Sequence, residues 1–417
     1  MRGGVAALVP VALLALVLAL VAAPLTGCLD LDGAVGSQRR PAPTPTVHLT
    51  GTPAEVAAVL ARRARAVVAH DGGGFEATVA PGAGAAYQRF WYAQAVRVGL
   101  RSLSYDLSTP DLAASHGDTY VTMVDEKLEI GPVDPGTVTV EHRLVLHRSA
   151  GTWRVTRDTW DHSQVIAAPW ELPGTRITTR PGLVLVTGGF SRQVAEALAD
   201  DAAGAVRAVT SDLPGRLHGA VVLALHHDTT PFRAESIDRR ELSLLGGITV
   251  PMDFASTNHD SARVVLPAAT VPAARPWRRQ LLRHEITHVA LAADTVAPIW
   301  AREGTAEYYA HRREWDPKIH VVTIDAARRG IQAMPADAEF YAGGLDTWSR
   351  HYDLSWWAME WVAGQKGPGE PARLLDAFQK GDVRYDADVD ALLRKRYGVD
   401  RAGLARKAAA LILEYYG

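Results

Sequence analysis

The chain has 417 residues, 47% of them apolar and 22% charged, the balance of a globular protein rather than a disordered one. That length exceeds one ordinary core and favours two domains with added segments. A formal charge of −2 leaves no excess of lysine and arginine to displace counterions from a phosphate backbone, so nucleic acid is excluded as a partner.

At the N-terminus, Arg2 precedes an apolar run from Val5 to Ala23 that closes on Pro24, Leu25, Thr26, Gly27 and Cys28. A positive start, an apolar middle and small residues before a break are the three zones of a secretory signal. The ending Leu25-Thr26-Gly27-Cys28 resembles the bacterial lipobox. This implies that residues 1–27 are removed and that Cys28 is lipidated, anchoring the chain to the outer face of the bacterial cell membrane. A plain transmembrane anchor of about 20 apolar residues is the competing reading. Both export the remainder of the chain. Cys28 is the only cysteine, so no intramolecular disulfide is expected although the compartment would permit one. Residues 28–52, rich in Gly, Pro, Thr and Ser, read as a flexible tether.

A first domain is expected over residues 53–168. Pro53 suits the first turn of a helix to His70, whose stripe is Val56, Val59, Leu60, Ala64, Val67 and Val68. A second helix follows from Ala85 to Gly99. Four strands are expected at Leu100 to Leu107, Thr119 to Ile130, Thr137 to His147 and Thr152 to Asp158, with glycine-bearing turns between them. Helices followed by antiparallel strands describe an α+β layer pair. The order resembles the cone-shaped nuclear-transport-factor and cystatin-like folds. In it, Phe90-Trp91-Tyr92 reads as hydrophobic packing.

The Pro-rich and Gly-rich stretch Pro169 to Gly182 separates a second block, residues 182–417. Strands are expected at Leu183 to Val186, Gly219 to His226, Gly247 to Pro251 and Ala262 to Pro267, with a Ser191-capped helix to Val209. Helices then run to the C-terminus, so the fold class is α+β throughout. His226 and His227 read as a polar strand end. Trp356, Trp357 and Trp361 fall at helical spacing and read as core.

The chemistry concentrates in two helices. His284-Glu285-Ile286-Thr287-His288 matches H-E-x-x-H, on a helix that Pro276 can open, with Leu282, Ile286, Val289 and Ala293 as its apolar face. Four residues apart, His284 and His288 lie about 6 Å from each other along the axis, so two imidazoles can converge on one metal. Glu285, one step around, can reach a water there. The next helix opens at Pro298 and carries Glu303 and, four residues on, Glu307. A two-His, one-Glu zinc site needs its carboxylate from a separate element and leaves a position for water; Glu303 meets that need. Gly304, costly in a helix interior by about 1 kcal/mol, fits a close approach of the two helices. Glu307 reads either as the acceptor that orients a ligand histidine or as a solvated charge.

The string HEITHVA, followed by WAREGTAEYY with its Glu303 fifteen residues after the second histidine, resembles the gluzincin metallopeptidases, the superfamily of thermolysin and of the membrane-alanyl-aminopeptidase type. Within that superfamily it is similar to the bacterial peptidase-MA-like domains, whose signature is HExxH followed by W-x-x-E-G-x-A-E-Y. The resemblance spans about Leu183 to Gly417. It implies a mixed sheet followed by a helical subdomain, one Zn2+ per chain on His284, His288 and Glu303, and Glu285 as general base in peptide-bond hydrolysis. A helix expected over Ser355 to Ala363, opened by His351-Tyr352-Asp353-Leu354, resembles the position of the oxyanion-stabilising tyrosine. Tyr352 is therefore either that residue or a buried tyrosine with a satisfied hydroxyl. The chain lacks the G-x-M-E-N-type motif, so exopeptidase specificity is not implied. Peptide or protein is the expected substrate, its strand adding to a sheet edge at Ala262 to Pro267. The first domain is expected to cover the cleft or recruit substrate. The competing function is a binding or scaffold lipoprotein with a retired peptidase fold. The oligomeric state is left open.

Overall fold

The computed structural model describes residues 52–417 apart from 112, 161–165, 226–245, 253–260, 293–295, 314–318, 382 and 384. Cys28, His226, His227 and Ala293 lie outside the described residues. The chain is mixed α+β. Among the described residues no helix is long and apolar enough to cross a membrane.

Helix α1, Pro53–Val68, starts where Thr52 and Glu55 cap each other: the Thr52 hydroxyl accepts from the Glu55 N–H, and the Glu55 carboxylate accepts from the Thr52 N–H. A short α2, Gly72–Glu76, and α3, Ala85–Val98, complete the first helical layer. Strands β1 Leu100–Leu107, β2 Thr119–Ile130, β3 Val138–Ser149 and β4 Thr152–Trp160 form an antiparallel sheet in sequence order. Alternate β2 residues are buried, as period-two patterning requires. Val56, Val59 and Leu60 of α1 pack against Tyr120, Val124, Leu144 and Trp153 of the sheet.

The stretch read as a separator contains structure of its own: a 3-10 turn, Pro169–Glu171, and strand β5, Thr175–Arg180. β5 pairs antiparallel with β6, Leu183–Gly188, and so borders a second sheet. From β6 the chain passes through α4, Arg192–Asp212, capped by Ser191, to β7, Ala220–Leu225, which lies parallel to β6. β8, Ile248–Pro251, and β9, Ala262–Leu266, complete the order β5-β6-β7-β9-β8. β9 is internal, paired with β7 on one side and β8 on the other, so it is not the open edge expected of Ala262 to Pro267. Periodicity reports burial of a strand but not its neighbours. Among the described residues β8 ends the sheet.

Both faces of this sheet are buried. Leu183, Leu185, Val222 and Val264 face α4 and the C-terminal helices. Val184, Val186, Val221, Leu223 and Val265 share a core with Trp91, Ala95, Val98 and Trp170. The two sheets are also tied by charge: Arg263 of β9 pairs bidentately with Asp134 of the β2–β3 turn, both buried, with Nη2 to Oδ2 at 2.9 Å.

Helices fill the remainder: α5 Arg275–Ala290, α6 Ile299–His311, α7 Val321–Arg329, α8 Asp337–Phe340, α9 Leu345–Lys366, α10 Glu370–Lys380, α11 Asp386–Tyr397 and α12 Arg401–Tyr416. Trp356 and Trp357 are buried in their core, and Trp361 packs half-buried against it. The helix expected to begin near Ser355 begins ten residues earlier, so Tyr352 lies mid-helix in α9. Gly304 allows close packing, but its neighbour is α9 rather than α5: a Cβ there would stand 2.3 Å from the Ser355 carbonyl oxygen.

Candidate metal centre

Pro276 stands in the first turn of α5, and Leu281, Leu282 and Ile286 bury one side of that helix. Two anchors fix its position. Arg275, Arg278 and Arg279 converge on the buried Asp201 of α4, at 2.8 Å from Arg275 and 2.9 Å from Arg279. Arg283 donates to the Ala310 carbonyl of α6 at 2.8 Å. α6 starts directly after Pro298, and its Glu303, Glu307 and His311 form an i, i+4, i+8 row.

These helices bring His284, His288 and Glu303 together. The Nε2 atoms of the two histidines lie 3.1 Å apart, and Oε2 of Glu303 is 3.3 Å from each. Three ligands tetrahedrally disposed about one Zn2+ at their usual bond lengths stand about 3.3 Å from one another, so this donor set fits a single ion. All three side chains are buried.

The surrounding residues orient the three. Nδ1 of His284 is 3.1 Å from Oε1 of Glu307, whose other oxygen is 3.1 Å from Nε2 of His311. His311 in turn stacks on Trp356, centroids 3.8 Å apart. Tyr341 donates to Oε1 of Glu303 at 3.1 Å, leaving Oε2 for the histidines. Thr249 of β8 sits 2.8 Å from Oε2 of Glu285 and 2.9 Å from its backbone oxygen; its one hydroxyl proton serves either. Gly247, in the same segment, leaves room for that carboxylate: a Cβ would stand 3.2 Å from Cγ of Glu285. Tyr352 is buried with its ring centroid 6.2 Å from that of His284.

The electrostatics ask for a cation. Burial would raise the Glu303 carboxyl, but His288 and His284 facing it hold it well below the usual carboxylate range. Burial likewise opposes ionisation of Glu307, yet His284 and His311 bring it down to about 2. Burial disfavours charge on His284, but Glu307 and Glu303 outweigh it and push its pKa well up. Two ionised carboxylates thus favour positive charge where the imidazoles meet, a demand that a proton or a metal cation satisfies. Glu285 differs: burial dominates and raises its pKa, against the pull of His284 and His288. Burial, followed by the Glu303 charge, keeps the Tyr352 phenol protonated far above neutral pH.

Thr249, Tyr341 and His311 were not singled out in the sequence. His311 was legible, four residues beyond Glu307 on the same helix. Thr249 and Tyr341 arrive from a distant strand and from the end of a four-residue helix, with no local signal. No family model matches this chain, and no curated protein matches it.

Proposed function

We propose that the chain is a zinc-dependent peptidase of gluzincin type, exported and held at the membrane through Cys28, with His284, His288 and Glu303 holding one Zn2+. The observation that carries this reading is the mutual separation of 3.1 to 3.3 Å between three buried donor atoms from two helices. When bound, such an ion supplies Lewis acidity and makes water ionisable near neutral pH. Glu285 is the general base. Burial raises its pKa and so makes it a stronger base than an ordinary carboxylate, and Thr249 fixes one carboxylate oxygen so that the other can take the proton. Glu307 holds the orientation of His284. Tyr352, kept as a phenol, donates to the oxyanion that develops on the attacked carbonyl. Among the described residues β8 is the edge strand beside Glu285, and an extended peptide backbone would align along it.

The test uses the purified full-length protein, zinc-loaded and offered a broad peptide mixture. The parent should generate new peptide ends, and Glu285→Gln should keep its metal while losing at least about 100-fold in rate. Cleavage by that variant at the parental rate removes Glu285 from the mechanism. A zinc-loaded parent that cleaves nothing favours the binding-lipoprotein reading.

A further inference from the structure

A second group of titratable side chains, on elements other than those of the first, stands on the buried face of the four-stranded sheet. Glu126 of β2 is directly opposite Val140 of β3, so His142, two residues on, is its diagonal neighbour on the same face. Asp158 of β4, opposite Leu144, extends the diagonal row. Glu171, from the 3-10 turn after β4, closes over it. Glu126, His142 and Glu171 are at most 1% exposed, and their ligand atoms lie within 4.8 Å of one another.

The orientation of these groups is set from outside the cluster. Nδ1 of His142 is 2.8 Å from Oδ1 of Asp158, which places a proton on Nδ1 and turns Nε2 inward. Trp91 donates to Oε1 of Glu171 at 3.0 Å, leaving Oε2 to face the histidine. Nε2 of His142 then stands 3.6 Å from Oε2 of Glu171 and 3.9 Å from Oε2 of Glu126. His142 Nε2, Glu171 Oε2 and Glu126 Oε1 are buried without a hydrogen-bond partner. Acceptors facing one another in a closed space need something positive between them. Arg63, 3.7 Å from Asp158, brings one positive charge to three carboxylates. With all three carboxylates ionised and His142 neutral, the cluster is two positive charges short of balance, the charge of one divalent ion. With no ion bound, protons fill the deficit: burial opposes charge on His142, but Glu171, Asp158 and Glu126 outweigh it and push its pKa up to about 10, and burial pushes Glu171 up to about 8.

We propose that Glu126, His142 and Glu171 form a second metal site, taking one divalent transition-metal ion of the kind that accepts mixed carboxylate and imidazole ligands, such as Mn2+ or Zn2+. The separations of 3.6 and 3.9 Å are slightly wider than those of the first site. Fully enclosed, the site is structural. It pins the 3-10 turn Pro169–Glu171, and with it the entry to β5, onto the four-stranded sheet.

The test is metal content of the full-length protein, stripped with a chelator, reloaded with Zn2+ or Mn2+ and separated from free ion. His284→Ala, which leaves this cluster intact, should retain one ion per chain and melt at a higher temperature with it than without it. Glu171→Gln, similar in shape, should lose one ion relative to the parent, and combining both changes should leave none. A His284→Ala protein that retains no ion overturns the proposal and leaves a cluster balanced by protons. So does a Glu171→Gln protein with the parent's ion count. A parent that binds one ion, lost in Glu171→Gln but kept in His284→Ala, upholds this site while refuting the first.

Discussion

Glu307 shows how a residue that need not touch the ion governs one that does. Its carboxylate lies between His284 and His311, 3.1 Å from each, and those two partners keep it ionised against the cost of burial. A glutamine there would retain the volume but lose the charge that favours one ring orientation of His284. Glu307→Gln should therefore weaken metal affinity by about 10-fold to 100-fold while leaving the fold intact, measured by competition against a chelating indicator. An unchanged affinity would show that α5 packing alone orients the imidazole.

At the scale of elements, the site depends on where α5 lies, and Asp201 determines much of that. One buried carboxylate receives three guanidinium groups from the first five residues of α5. Burial opposes its ionisation, but Arg278, Arg275 and Arg279 outweigh it and hold its pKa below the ordinary value. A depressed acid stabilises the fold above its unfolded pKa and loses that contribution as pH falls through the folded one. Stability due to Asp201 should thus be complete at neutral pH and decline below about pH 4. Asp201→Asn should cost about 1 to 3 kcal/mol at pH 7, because Arg278, 11% exposed, loses the carboxylate that pairs it, while Arg275 and Arg279 can turn to solvent. The difference between variant and parent should shrink toward pH 3, as followed by denaturant unfolding. A gap that stayed constant with pH would remove the charge from the explanation.

Local patterning made most elements legible, because period-two and period-3.6 burial are written in consecutive residues. α1, α3, the four strands of the first sheet and α4 lie within a few residues of expectation. β5 was not legible because Pro169 to Gly182 has a loop's composition, and its strand, an edge, reads Thr-Arg-Ile-Thr-Thr-Arg with a single apolar residue. The start of α9 was missed because Leu345 to Tyr352 carries no cap and little apolar periodicity. Strand order was beyond reach: nothing in Ala262 to Leu266 says that β8 returns to cover its outer edge. His284, His288, Glu303 and Glu307 were legible because the motifs place them at fixed helical offsets. Glu126, His142 and Glu171 were not, since a diagonal across paired strands exists only once register is set.

On the scale of the whole molecule, the two sheets are not separate modules on a linker. One face of the second sheet shares its apolar core with α3 and Trp170, and Arg263 with Asp134 locks the junction in a buried pair. Breaking so much apolar contact one half at a time would leave a large hydrophobic face in water. Thermal unfolding should therefore follow a single transition, coincident by far-ultraviolet circular dichroism and by tryptophan fluorescence. Two separated transitions would mean that the halves fold independently and that the shared core contributes little. The same coupling gives residues 53–168 a supporting role: they cover one face of the sheet whose edge strand, β8, carries the Thr249 that holds Glu285.

The claim on which the rest depends is that one ion sits among His284, His288 and Glu303. Anomalous X-ray scattering at the zinc edge, from crystals of the zinc-loaded chain, tests it most directly. The account predicts a peak about 2.0 to 2.2 Å from Nε2 of both histidines and from Oε2 of Glu303. Density for all three side chains with no peak between them, or with Glu303 turned away from the imidazoles, would contradict it.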